Sequence, residues 1–244
     1  MIVAAKGIVL KVVKYGETSI VCSIFTDSLG LQSFLVKGVR TEKKKHQKAN
    51  IFRPGNILDL QVYHNEHRNL QYLKEYRLGH CFQEIGENVV KNTLLLFVVD
   101  ALGSIVHTDD AQEELFDFSL HFLQVVDHAP VASLRNLPIY FIKELARRVG
   151  YAIRENYSAQ NCYLNTYEGC FMPTQAQAMP IFDKDISHKF YQLIVAEDIA
   201  AIAAVDTTAA ERKAVLDGYL HFFQWHDKNF KPLRSLPVLE AILH

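Results

Sequence analysis

Residues 6–40 read KGIVLKVVKYGETSIVCSIFTDSLGLQSFLVKGVR, and this stretch decides how the first part of the chain folds. Apolar residues alternate with other residues in it, and alternation over four to eight positions is typical of a half-buried β-strand. A turn at residues 27–30 separates two of the segments, and Gly30 can adopt the positive φ that such a turn needs. We therefore predict three short strands joined by tight turns. The alternating residues are Ile8, Leu10 and Val12 in the first strand and Ile20, Cys22 and Ile24 in the second.

Two further strand signals follow. Residues 57–63 alternate again after a turn at 53–56, and residues 70–78 offer a fifth strand after a polar turn at 65–69. Five short strands with tight connections are typical of a small OB-type barrel. We therefore predict a five-stranded OB-fold β-barrel over residues 1–78, with an open β-sandwich fragment as the alternative.

From residue 82 the apolar spacing changes to three and four residues, which is the period of an amphipathic helix. Residues 151–182 interrupt this pattern with two cysteines, six aromatic residues and two prolines, so we expect an irregular or short-hairpin insertion there. The predicted fold is α+β and multidomain, with an all-α helical domain over residues 79–244 that contains the insertion. The predicted helices cover residues 85–105, 115–126, 134–149, 186–205 and 212–228, followed by a short apolar helix near the C-terminus.

Charge is unevenly distributed along the chain, although the net charge is only −1. Residues 1–78 hold 13 Lys and Arg against 6 Asp and Glu, and residues 79–244 hold 13 against 21. Such asymmetry hints at a nucleic-acid-binding part joined to a part of another kind. The longest apolar run is far shorter than the ~20 residues of a membrane span, and no signal-peptide pattern is present. We therefore expect a cytoplasmic protein whose four cysteines are reduced.

A run of cations follows the third predicted strand, within residues 37–48. A run of charges is usually a solvated loop, but this run directly follows a β-strand of the predicted OB-type barrel. That fold commonly binds single-stranded nucleic acid through a basic groove. Tyr15, Phe34, Phe52 and Tyr63 are possible stacking rings, of which we expect one at most to contact a base. The predicted DNA-binding residues are Lys11, Lys14, Lys37, Arg40, Lys43, Lys44, Lys45 and Lys48.

No catalytic signature is present: the sequence lacks a glycine-rich phosphate loop, an HExxH motif and a GxSxG elbow. His64 and His67 are a weak ligand pair near a predicted strand end, and solvated loop histidines are the more common explanation. Cys162 and Cys170 are separated by seven residues. A structural zinc site takes four ligands, usually as two close pairs, so two buried reduced thiols are the simpler interpretation.

Several short motifs resemble one known family when they are taken together in their order and spacing. They are GIVL at residues 7–10, GETS at 16–19, FT at 25–26 with Gly30, and VKGVR at 36–40. FIKELARRVGY at residues 141–151 and LRS at 233–235, before an apolar helix, are also similar. The chain resembles the RecO family of bacterial recombination mediators over both halves.

The resemblance implies an OB-fold domain followed by an α-helical domain, and it implies a protein that is not an enzyme. RecO-family proteins bind single- and double-stranded DNA and anneal complementary strands. They work with RecR to load RecA onto DNA that is coated by single-strand-binding protein. A cytoplasmic, nucleoid-associated location follows from that role.

The resemblance also bears on cofactors and on a partner site. Many family members carry a four-cysteine zinc motif between helices, whereas this sequence has only Cys162 and Cys170 in that region. We therefore predict that the protein holds no zinc and no other cofactor. The family takes the acidic, apolar C-terminal tail of single-strand-binding protein in a hydrophobic pocket of the helical domain, and Arg147 and Arg148 are candidates for its rim.

Two other functions compete with this one. An OB-fold adaptor that binds only proteins would use its lysines for solubility and would have no measurable single-strand affinity at low salt. A hydrolase that uses His64 or His67 would lose its function when both are replaced.

Overall fold

The computed structural model describes residues 1–39, 50–107, 111–173 and 182–243. Five strands close into a barrel in the order β1-β2-β3-β5-β4, in which β3 and β5 are parallel and the other neighbours are antiparallel. This is a five-stranded OB-type barrel, so the predicted fold class is confirmed. The strands are β1 (Ile2–Tyr15), β2 (Ser19–Thr26), β3 (Gly30–Val36), β4 (Ile57–Tyr63) and β5 (Gln71–His80).

The first strand closes the barrel because it pairs with β4 through its first half and with β2 through its second half. Gly7 lies where the two pairings overlap, and a Cβ at this position would collide with the side chain of Ile24. A shift in register between Val9 and Lys11 marks a β-bulge, and a bulge changes which residues face inward. Val9 belongs to the barrel core, whereas Ile8 is buried outside that core. The single face predicted for Ile8, Leu10 and Val12 is therefore wrong.

The connection from β3 to β4 is anchored in the barrel at both of its described ends. Val39, just before the gap in the described residues, and Phe52, just after it, are both almost completely buried in the barrel core. The side-chain amide of Asn56 donates hydrogen bonds to the carbonyl oxygens of Asn50 and Ile51, both at 2.9 Å. The described residues on both sides of this gap are therefore held on the barrel.

The chain forms two compact units, Met1–His128 and Ala129–His244. The first unit contains the barrel and two helices, α1 (Val89–Ile105) and α2 (Glu113–His128), which contact β1 and β2, respectively. The barrel strands end close to the expected boundary at residue 78, while the compact unit that contains them extends further because these helices pack on the barrel. Division into domains 1–78 and 79–244 stays a prediction about which parts fold alone.

A buried polar network fixes the segment between β5 and α1. The carboxylate of Asp127, near the end of α2, accepts hydrogen bonds from the backbone N–H groups of Gln83, Glu84 and Ile85 at 2.8–2.9 Å. The ammonium group of Lys91 is buried and donates to the carbonyl oxygen of Asp127 and to the carboxylate of Glu84, both at 2.6 Å. The last turn of α2 thus provides the hydrogen-bond acceptors for three backbone N–H groups and for the buried ammonium group of Lys91.

Replacing Asp127 by alanine should destabilise the protein by roughly 2 to 4 kcal/mol, because one buried and two partly buried backbone N–H groups lose their acceptor. Burial would raise the pKa of Asp127, but the hydrogen bonds from Gln83, Ile85 and Glu84 lower it below its usual value. The contribution is therefore present above about pH 4, the usual carboxyl pKa, and is lost as the pH falls through the lower folded-state pKa. Urea unfolding at pH 7 measures the effect.

The exposed Asp117 on the same helix provides the control for that experiment. Its replacement by alanine should change the free energy of unfolding by less than about 0.5 kcal/mol. A loss of under about 1 kcal/mol for Asp127→Ala would contradict the assigned role of the network.

The second unit is helical, as predicted, with a two-stranded hairpin inside the predicted insertion. The prediction of one helix over residues 186–205 is wrong, because a break occurs after Ile194 and Asp198 caps a new helix by accepting a hydrogen bond from Ala201 N–H. The elements are α3 (Leu137–Arg148), β6 (Tyr163–Asn165), β7 (Cys170–Met172), α4 (Lys184–Ile194), α5 (Ile199–Ala204), α6 (Ala209–His226) and α7 (Leu236–Ile242). Among the described residues, no helix has the length and apolar character of a membrane span.

Candidate functional site

Three of the predicted DNA-binding lysines lie on the described surface of the barrel. Lys11 and Lys14 are on β1, Lys37 directly follows β3, and all three side chains are exposed. None of them forms an ion pair within the described part of the chain, so their charges are available to an anionic ligand. The other predicted residues, Arg40, Lys43, Lys44, Lys45 and Lys48, lie outside the described residues.

Strand order brings Lys14 and Lys37 to the same end of the barrel. The turn at residues 16–18 joins β1 to β2 there, and β3 ends beside it because Ile20 lies opposite Val36. The connection from β4 to β5 is at this end as well, since the end of β3 pairs with the start of β5. The β1–β2 and β4–β5 loops of OB folds flank the site where oligonucleotides bind. Lys14 and Lys37 therefore lie at the end of the barrel where OB folds bind oligonucleotides.

The four candidate rings divide into two pairs. Phe34 and Phe52 are buried in the barrel core and cannot stack on a ligand. Tyr15 and Tyr63 are exposed at the end of the barrel described above. Tyr72 is exposed as well and lies opposite Tyr63, and it was not among the predicted stacking rings. Its position in the hairpin register, which places it across from Tyr63, was the signal that could have found it.

The two loop histidines make contacts that belong to the turn after β4. The backbone N–H of His64 donates to the carbonyl oxygen of Met1 at 2.9 Å, and that of His67 donates to the side chain of Asn65 at 3.0 Å. Nowhere in residues 1–39, 50–107, 111–173 and 182–243 do three His, Cys, Asp or Glu side chains group in a way that could hold a metal ion. These contacts are structural.

Arg147 and Arg148 lie at the end of α3 and both form ion pairs with Glu144. Lys143 adds a third cation at 3.5 Å from the same carboxylate. Although burial would raise the pKa of Glu144, hydrogen bonds from Arg148 and Arg147 and the charge of Lys143 lower it. Neither arginine lines the apolar groove described next, so their predicted role at the rim of a partner pocket stays a prediction without support from this groove.

An apolar groove of about 280 Å³ lies in the second unit, between the start of α3, the first half of α6 and the C-terminal helix α7. Most of its lining is aliphatic, small side chains at Ala209 and Ala210 keep it open, and the ion pair of Lys213 with Glu240 lies at its edge. The groove is thus wide enough for a few apolar side chains of a peptide. Its aliphatic lining consists of Pro138, Ile139, Leu216, Leu239 and Leu243.

Two guanidinium groups lie at this groove, and neither forms an ion pair within the described part of the chain. Arg212 donates to the carbonyl oxygens of Thr207 and Leu243 at 2.8 and 2.7 Å. Burial and the like charge of Arg135 lower the pKa of Arg212. Arg135 is exposed and makes one long hydrogen bond of 3.5 Å to Ala132 O. Two adjacent cations beside an apolar surface complement a ligand that carries both carboxylates and apolar side chains.

Comparison with known proteins adds to this geometry. The model of the family described as "Recombination protein O N terminal" matches residues 1–82, which include the whole barrel. The "DNA repair protein RecO" of Flavobacterium psychrophilum is 27% identical over 251 residues, with 99% of each chain covered. The proteins of the same name from Christiangramia forsetii and Flavobacterium johnsoniae are 23% and 25% identical, again with 99% of each chain covered. The barrel thus matches the N-terminal model of the RecO family, and the whole chain is similar in sequence to DNA repair proteins of that name.

The residues around the hairpin do not match the four-cysteine zinc motif that the resemblance to the RecO family led us to consider. Cys162 is buried, Cys170 begins β7, and both are free thiols. Within the described ranges, no other His, Cys, Asp or Glu side chains join these two cysteines in a group that could hold a metal ion, whereas a structural zinc site needs four ligands. The hairpin is held in another way: the Asn156 side chain accepts from the N–H of Phe171 and donates to its carbonyl oxygen, both at 2.9 Å. The Phe171 ring packs edge-on against the ring of Tyr157.

Proposed function

We propose that this protein, which is similar to the RecO family, is a DNA-repair mediator that binds single- and double-stranded DNA and anneals complementary strands. The observation that carries the proposal is the placement of exposed lysines, which form no ion pair within the described residues, at the end of the barrel whose loops flank the oligonucleotide site in OB folds. The basic stretch of residues 40–48 follows directly from this end. Binding of this kind is mostly to phosphates, so little sequence preference is expected.

Annealing needs two polyanions to approach each other, and cationic side chains reduce their repulsion. Lysines release counterions from each strand when they neutralise phosphates, which makes the interaction strongly salt-dependent. The protein then has to hold the bases accessible for pairing, which a barrel surface can do without reading their edges. No bond is made or broken in this process, so we propose a mediator and not an enzyme.

The test is annealing of complementary oligonucleotides at increasing salt, together with single-strand affinity. If about six phosphates are neutralised, log K should fall against log[salt] with a slope near −4 on single strands. Absence of measurable single-strand affinity at low salt would overturn the proposal and would favour the adaptor function.

The apolar groove with Arg135 and Arg212 suits the C-terminal tail of single-strand-binding protein, which in this family is the partner of the helical domain. The tail combines acidic residues with an apolar end, and the groove offers cations beside aliphatic walls. We propose that the tail binds in this groove, in preference to the neighbourhood of Arg147 and Arg148, because both of those guanidinium groups already form ion pairs with Glu144. RecR and, through it, RecA complete the proposed partners; RecR is not assigned to a surface.

Absence of zinc is part of the same proposal. The hydrogen bonds of Asn156 and the aromatic contacts of Phe171 stabilise the hairpin without a metal ion. Metal analysis of the purified protein should find no stoichiometric zinc, and a chelator should leave the melting temperature unchanged. One zinc per chain would show that this interpretation is wrong. We also propose a cytoplasmic location at the nucleoid, where a mediator of this kind meets its DNA.

A further inference from the structure

One row of outward-facing apolar residues runs across all five strands of the barrel. Cross-strand partners in a sheet point to the same face, so the row can be followed from strand to strand through the pairing register. It begins and ends on β1 because that strand closes the barrel. The row runs Val13, Val21, Leu35, Tyr72, Tyr63 and Ile2.

Two tyrosines occupy the middle of this row. Tyr63 is 49% exposed and Tyr72 is 36% exposed. Their sequence neighbours Val62 and Gln71 are buried, which confirms that the two rings point outward. Directly opposite residues on antiparallel strands have Cβ atoms about 4.5–5.5 Å apart. The two side chains therefore leave the sheet from neighbouring positions on its outer face, at the two ends of the β4–β5 connection.

The charges around this pair favour an anionic ligand. The ammonium group of Lys37 lies 5.6 Å from the centre of the Tyr72 ring. Lys11 precedes Val13 by two positions on β1, so it lies on the same outward face. The nearest acidic residue in the register is Glu75, which is opposite Gln61, one step further along the outward face. The β4–β5 connection between the two tyrosines carries one exposed acid, Glu66, and one exposed cation, Arg68, so Lys37 is the cation that the structure places against a ring of the pair.

We propose that Tyr63 and Tyr72 form a platform on which the bases of single-stranded DNA stack, with Lys37 contacting the adjacent phosphate. The inference rests on the proposed DNA-binding function and assigns to it a site that holds bases and not only phosphates. Exposed aromatic rings beside a basic path are the usual means of binding single strands without sequence preference. A purely apolar protein partner would leave the cation above Tyr72 without a role, so the occupant is a nucleic acid strand.

The test is single-strand affinity of the variant with Tyr63→Ala and Tyr72→Ala, measured with a normal oligonucleotide and with an abasic oligonucleotide of the same length. Loss of stacking should lower affinity for the normal oligonucleotide by on the order of tenfold per ring. The slope of log K against log[salt] should stay unchanged because no phosphate contact is removed. Affinity for the abasic strand and for duplex DNA should also stay the same, since neither presents unstacked bases.

Two controls keep the outcome unambiguous. The Tyr63→Phe and Tyr72→Phe variant retains both rings and should bind like the wild type, and Tyr167→Ala removes an exposed tyrosine from the second unit. If the wild type binds single strands and the double alanine variant binds them equally well, the platform is wrong and the proposed function stands. If the alanine variant loses abasic and normal strands alike, the rings act on folding or charge and the platform is again wrong. If the wild type itself binds no single strand, the proposed function fails.

Discussion

Replacing Lys43, Lys44, Lys45 and Lys48 by alanine should reduce the salt dependence of single-strand binding by about 3 in the slope of log K against log[salt]. Each phosphate contact on a single strand contributes about 0.7 to that slope. Affinity at low salt should fall on the order of 100-fold, and annealing should fall further because both strands must be screened. Fluorescence anisotropy with a labelled oligonucleotide at several salt concentrations measures the slope.

A variant with the same loss of charge in the second unit is the control. Lys184, Lys228, Lys231 and Arg234 are exposed there, and their replacement by alanine removes four cations without changing the barrel. This control should retain the slope and the annealing rate of the wild type. Unchanged annealing by the variant of residues 43–48, with normal thermal unfolding, would contradict the assignment of the basic stretch to DNA.

Reversing one charge at the apolar groove should abolish most of the affinity for the tail of single-strand-binding protein. Arg135→Glu places a carboxylate beside the groove, and a lost charge-assisted hydrogen bond plus a new repulsion amounts to roughly 2 to 3 kcal/mol, or about 30- to 150-fold. Arg135 is preferable to Arg212 because Arg212 also holds the carbonyl oxygens of Thr207 and Leu243. Calorimetry with a synthetic tail peptide measures the change.

Arg147→Ala is the matched control for that experiment, because this arginine is exposed on the same unit and was the candidate suggested by sequence. The groove assignment predicts that this variant binds the tail peptide like the wild type. A loss of affinity in Arg147→Ala combined with normal affinity in Arg135→Glu would reverse the assignment and place the tail at the end of α3.

Local patterns were sufficient for the barrel and most helices. Alternation predicted β4 to the residue, and the helix predicted over residues 212–228 overlaps most of α6. The bulge after Val9 was not predicted, because one inserted residue inverts an alternation without leaving a signal in composition. The break after Ile194 was missed for a similar reason, since the apolar and alanine residues on both sides of it suit a continuous helix.

The candidate sites were less accessible from sequence than the fold. The basic stretch is visible because its residues are consecutive, whereas the groove joins Arg135, Arg212 and Leu239, which are far apart in the chain. Only tertiary packing of α3, α6 and α7 brings them together. The pairing of Arg147 and Arg148 with Glu144 was equally hidden, although the three- and four-residue spacing on a helix permits it.

Annealing of complementary strands coated with single-strand-binding protein, either intact or without its C-terminal tail, tests whether the protein acts as a mediator. We expect rapid annealing of naked strands and of strands coated with the intact protein, and a fall to the spontaneous rate on strands coated with the tailless protein. Equal annealing with both coating proteins, or no acceleration on naked strands, would contradict this expectation.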